Sequence, residues 1–196
     1  MAVTPYTLPP TPYTLHPTPM RRTLVAVAIA VAVSFPAVSH AQTGEALIQE
    51  VGRGTPVANP TFPADRSLQY RIAWNVNTAP EKPGEPVSGF RRPANFLTMT
   101  DAEGVPRENV HLAIIVYGGA TRSLLNDAAY RAANGVANGS IPLLEALNGA
   151  GVEIIVCGQA VANQKITRDQ LLPFVKVATS ATMARATLAA RGYSTF

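Results

Sequence analysis

One cysteine, Cys157, and three histidines are all the sequence offers of the softer metal ligands in 196 residues. A single thiol excludes an intramolecular disulfide framework. One Cys and scattered His residues also exclude a Cys/His zinc site of ordinary spacing, so no metal is expected. Charge is sparse as well, at 14% of residues, and no basic run exceeds two. Nucleic-acid binding needs a clustered basic stripe, so no nucleic-acid partner is expected. The Gly-Lys-Ser/Thr ending of a P-loop and the G-x-G-x-x-G dinucleotide fingerprint are both missing. The G-x-S-x-G elbow of α/β serine hydrolases is missing too. No cofactor is therefore expected. What is abundant is apolar: 47% of residues, too many for a disordered chain.

The N-terminal part differs in composition from the rest. Residues 1–19 hold six of the 17 prolines and a seven-residue duplication, Thr4–Pro10 and Thr11–Pro17. This Pro/Thr-rich stretch reads as an extended segment without a core, or as sequence ahead of a true start at Met20. Residues 20–41 have the parts of an export signal. Arg21 and Arg22 precede an apolar run from Leu24 to Val33, and Ser39-His40-Ala41 supplies small residues at −3 and −1. Cleavage after Ala41 and a periplasmic or secreted location are the expectation. The run is too short for a stable membrane span, which takes about 20 apolar residues. Beyond Ala41 the chain keeps 14 basic and 12 acidic residues, a net charge of only +2.

Residues 42–67 form an irregular lead-in, with a short helix possible at Glu45–Val51 before Gly52, Pro56, Pro60 and Pro63. A domain over 68–196 follows. Tyr70–Asn77 alternates and reads as a strand. Residues 87–101 suit a helix with Phe90, Ala94, Leu97 and Met99 inward, despite Pro93. His111–Tyr117 and Val152–Cys157 are near-continuous apolar runs, the mark of strands buried on both faces of a parallel sheet. Helical spacing joins Leu124, Leu125, Ala128, Ala129 and Ala132. Ser140 is a candidate N-cap for a helix with Pro142 in its first turn. Val175–Ala178 reads as a fourth strand. A last helix carries Met183, Ala184 and Leu188, capped by Ser180 and closed by Arg191 and Gly192. Tyr193–Phe196 suits an edge strand. This order predicts an α/β fold: a three-layer sandwich with a mainly parallel sheet of about five strands flanked by helices.

In such sheets ligands sit beyond the carboxyl ends of the strands. Cys157 falls there, before Gly158, Gln159 and Ala160. Helix-terminal amides favour the thiolate, the nucleophilic form. The alternative is a small, inert core thiol. Tyr117, Gly118, Gly119, Ala120 and Thr121 end the second long strand. Their amides, with the Thr121 and Ser123 hydroxyls, suit an anion; a plain strand-to-helix turn is the alternative. His111 lies at the opposite end of its strand from Cys157, so a Cys–His pair is not expected. Asp127, Glu145 and Glu153 read as unpaired solvated charges.

Val152-Glu153-Ile154-Ile155-Val156-Cys157-Gly158-Gln159-Ala160 resembles the cysteine segment of the DsrE/DsrF-like family. The helix before it, Leu171-Leu172-Pro173 with Val175-Lys176-Val177 after it, and the closing Arg191-Gly192-Tyr193 fit the same pattern. The resemblance spans about residues 68–196. It implies a DsrEFH/YchN-like fold, assembly as a homotrimer or hexamer, and sulfur handling as a persulfide on Cys157. Gly158, Gln159 and the Tyr117–Thr121 turn would bind the ligand, and the partner would be a small sulfur-containing donor or an acceptor protein. Where exported relatives carry His-Gly-Pro or His-Gly-Gly, this chain has Tyr117-Gly118-Gly119. The other expectation is a non-catalytic oligomeric binding module with a structural cysteine.

Overall fold

The structure is a computed structural model that describes residues 40–196. The Pro/Thr-rich stretch and residues 20–39 of the expected export signal lie outside the described residues.

Five parallel strands form one sheet: β1 (Tyr70–Val76), β2 (Val110–Val116), β3 (Glu153–Cys157), β4 (Lys176–Ala178) and β5 (Ser194–Thr195), ordered β4-β3-β2-β1-β5. The apolar runs form the centre because strands covered on both faces need apolar side chains at every position. In β2 all residues but His111 are buried. β5 is short and joins the edge through Phe196, whose N–H donates to Ala73 O and whose O accepts from Asn75 N.

The two faces of the sheet are unequal. Trp74, Val76, Leu112, Ile114, Ile154 and Val156 point into the larger core. There they meet α1 (His40–Val51), α2 (Arg91–Ala102), α3 (Asp127–Asn134) and α4 (Ile141–Gly149). Each such fully buried aliphatic side chain contributes about 1.5–3 kcal/mol. On the other face Ala73, Ala113, Ile115 and Cys157 meet α6 (Ala181–Ala190) through Ala181, Ala184 and Leu188. Alanine lines both sides of this contact. The remaining helix, α5 (Gly158–Asn163), follows β3 directly.

Several local expectations hold. Pro93 falls in the first turn of α2, where a missing N–H costs no intrahelical bond. Ser180 caps α6, accepting from Met183 N at 3.1 Å, and Gly192 takes a left-handed φ of 83° just past it. Others are corrected. Met99 is 52% exposed rather than inward. Residues 118–124 form a 3-10 helix, and α3 begins only at Asp127, leaving Ala128 and Ala132 exposed and Tyr130 as its buried residue. Ser140 does not cap α4 with its side chain; its Oγ accepts from Val87 N at 3.1 Å. Asp127 and Glu153 are paired, with Arg131 at 2.5 Å and Lys176 at 2.8 Å. The Arg131 hydrogen bond, helped by the Asn138 amide, holds the Asp127 carboxyl below its ordinary range.

Asn138 is the buried hub of the loop before α4. Its Nδ2 donates to Ser123 O at 3.0 Å and Leu125 O at 2.8 Å, and its Oδ1 accepts from Ser140 N at 3.1 Å. Asn138→Ala leaves these groups buried without partners. A stability loss on the order of 3 kcal/mol is expected, read from the urea midpoint. An unchanged midpoint would show that water reaches these groups.

Candidate functional site

Parallel register brings three strand ends together on the α6 face. Val76, Val116 and Val156 are cross-strand partners, and Cys157 pairs with Ala178. Tyr117 and Cys157 are each one residue beyond the paired Val116 and Val156. Alternation then puts Asn75, Tyr117, Cys157 and Ala178 on the face opposite the large core. Cys157, Tyr117 and Ala178 pack in one cluster with Ala181, Ala184 and Leu188 of α6. The thiol belongs to a residue only 8% exposed. Cys157 is the N-cap residue of α5, and its side chain makes no cap hydrogen bond.

Gly158 explains how β3 can turn into α5 so close to β4. A Cβ there would stand 2.6 Å from Ala178 O, a backbone atom that cannot swing aside. Gly158→Ala should therefore push the two strand ends apart. The expected cost is about 1–3 kcal/mol, with a changed rate of Cys157 alkylation in the folded protein. Wild-type stability and rate together would contradict this close approach. Gln159 is exposed beside it.

The Tyr117–Thr121 segment divides in two. Gly118, at φ 57°, and Gly119 are exposed, and as first residues of the 3-10 helix their amides precede its own hydrogen bonds. Gly118 O accepts from Gln164 Nε2 at 2.9 Å, which ties the turn to the end of α5. Ala120 and Thr121 are fully enclosed, and Ala120 N already donates to Asn77 O at 3.2 Å. Thr121 Oγ1 has no hydrogen-bond partner among the described residues. Ser123 is also buried, at 1% exposure. Of the amides and hydroxyls expected to hold an anion in this turn, only those of Gly118 and Gly119 are exposed.

His111 stands six residues before Tyr117 on β2, about 20 Å along the strand, with a ring nitrogen 2.8 Å from Gln69 Oε1. It takes no part in the Cys157 site. No group of three or more His, Cys, Asp or Glu side chains gathers among the described residues. No described helix is long and apolar enough to cross a membrane.

Sequence reasoning missed Arg185. It lies on the sheet-facing side of α6, four residues after Ala181 and next to Ala184. Its guanidinium carbon is 5.9 Å from the Tyr117 ring centroid, and Nη1 is 3.4 Å from Asn75 Oδ1. A charge falling on a stripe of small apolar residues was the available signal.

The family model described as DsrE/DsrF-like matches residues 73–196. Among solved structures, the ychN protein from E. coli is 21% identical, covering 65% of this chain and 99% of that one, with a TM-score of 0.44. A protein of unknown function from Methanobacterium thermoautotrophicum is 16% identical, covering 65% of this chain and 97% of that one, with a TM-score of 0.42. No curated protein matches the chain.

Proposed function

The chain belongs to the DsrE/DsrF-like family, and on that premise we propose that it is an exported sulfur-handling protein whose Cys157 accepts sulfane sulfur and passes it on. Family membership supports a sulfur-relay-related role at the coarser level. The observation that carries the finer reading is the position of Cys157. It ends a central strand of a parallel sheet, at the edge where open α/β folds bind ligands. In this reading the thiolate attacks the terminal sulfur of a donor, forming a persulfide, and the donor's remaining fragment leaves with the electron pair. The exposed Gly118 and Gly119 amides and Gln159 border the approach. Assembly as a trimer or hexamer, and a location outside the cytoplasm after cleavage at Ala41, belong to the same proposal.

The 8% exposure of Cys157 favours a second reading. There the protein is a non-catalytic oligomeric binding module, and the thiol is core packing. Sulfur release separates the two. Protein treated with polysulfide is freed of donor by gel filtration and then given cyanide. The relay reading expects close to one thiocyanate per chain, since cyanide removes the outer persulfide sulfur and returns the Cys157 thiolate. Thiocyanate at background level favours the binding module.

A further inference from the structure

We propose that Arg185 is the anion-recognition residue of the Cys157 site, selecting donors whose negative charge lies one or two bonds from the atom the thiol attacks. The proposal deepens the sulfur-handling reading and rests on it.

Arg185 is a half-buried cation that forms no salt bridge among the described residues, and the nearest negative charge is the terminal carboxylate of Phe196, held on the far side of Asn75. No carboxylate among the described residues lies within ion-pair distance of it, and residues 1–43 contain neither Asp nor Glu. Its direct partners are neutral: Asn75 Oδ1, Thr182 Oγ1 at 3.2 Å, and the face of Tyr117. Two of the five guanidinium N–H groups are thus accounted for, and the others remain for a ligand. Asn75 is braced for this task. Its Nδ2 donates to Phe196 O at 3.0 Å, which fixes Oδ1 toward Arg185. Arg92 Nη1 lies 3.5 Å from Asn75 O and adds a second positive charge at the same strand end.

Tyr117 links the charge to the thiol. Arg185 covers Tyr117, Tyr117 packs in the same cluster as Cys157, and Ala181 and Ala184 of α6 complete that cluster. Asn75 and Cys157 are two strands apart, about 10 Å between backbones. The Arg185 and Cys157 side chains both project into that interval from the α6 face, so a short anion held by the guanidinium would present its reacting atom toward the thiol. Thiosulfate is such an anion. The Cys157 thiolate, its proton already given to solvent, bonds to the outer sulfur. The thiosulfate S–S bond breaks, and its electron pair leaves on sulfite. Charge and electrons balance without an added oxidant or reductant. Arg185 would hold the sulfonate oxygens through charge-assisted hydrogen bonds.

A matched pair of probes tests recognition apart from sulfur chemistry. Iodoacetate and iodoacetamide alkylate the same thiol and differ in charge. For the full chain the ratio of their rates at Cys157 is measured in wild type, Arg185→Gln and Arg185→Lys, beside thiosulfate loading read by intact mass. Arg185→Gln is expected to lower the iodoacetate-to-iodoacetamide ratio about 10-fold or more, with Arg185→Lys between it and wild type. Thiosulfate loading should fall in parallel. A merely structural arginine would change both rates by the same factor, and an unchanged ratio overturns the proposal. Wild-type loading with an unchanged ratio overturns it while leaving the sulfur-handling reading intact. A lowered ratio with no sulfur loading from any donor overturns the donor assignment together with that reading.

Discussion

Cys157→Ser is expected to abolish sulfur loading: after polysulfide treatment its intact mass should gain no reductant-sensitive sulfur, where wild type should gain one. The effect is all-or-none because Cys157 is the only thiol in the chain, and a serine hydroxyl is not ionised at neutral pH. The substitution has a structural cost that must be kept separate. Serine would put a hydroxyl among Ala113, Ile115, Ala181 and Leu188, which costs about 1–3 kcal/mol if it finds no partner. Cys157→Ala avoids that polar group and should lose loading equally while melting closer to wild type. An adduct that persists in either variant would place the chemistry elsewhere.

Phe90→Ala has the largest expected effect on stability and little on the site. Phe90 is fully buried in the larger core, on the far side of the sheet from Cys157. Truncating a buried phenylalanine costs about 3–5 kcal/mol, from lost transfer energy and the cavity left behind. At this chain length the loss lowers the melting temperature by about 10 °C. Below the new transition, sulfur loading should match wild type, because the Cys157 layer is packed by α6 and not by Phe90, which ends the 3-10 turn leading into α2. Loss of loading in a folded Phe90→Ala protein would show that the two layers are coupled. A melting temperature within a degree or two of wild type would show that the larger core relaxes around the cavity.

Much of this architecture is legible in the sequence because its signals are local. Ile114, Ile115 and Val116, like Ile154, Ile155 and Val156, announce strands covered on both faces by apolar continuity alone. Ser180 announces a cap because its acceptor role reaches only three residues ahead, to Met183. The misses have distant partners. Ser140 looks like a cap, yet its hydroxyl serves Val87, 53 residues earlier. Glu153 looks solvated, yet it meets Lys176 because β3 and β4 are neighbours. Leu124 and Leu125 sit at helical spacing with Ala128, yet the chain holds a 3-10 helix through Leu124. Hydrogen bonds from Asn138 to Ser123 and Leu125 fix that shape, and no periodicity reports them.

The site is legible in the same uneven way. Cys157 stands out as the sole thiol at the end of an apolar run. The turn glycines are visible from sequence, but the enclosure of Ala120 and Thr121 is not, since it depends on how the turn packs. Arg185 is further removed. Its meaning requires knowing which face of α6 meets the sheet, and that Asn75 and Tyr117, 110 and 68 residues away, end on the same edge.

Whether the folded protein carries sulfur on Cys157 can be read in one experiment. The most direct measurement is the intact mass of native protein after exposure to polysulfide or thiosulfate, with and without reductant, followed by peptide mapping. The expected result is a gain of one sulfur that reductant removes and that maps to Cys157. No gain in the native state, with Cys157 alkylated only after unfolding, would contradict it and make the thiol a part of the core.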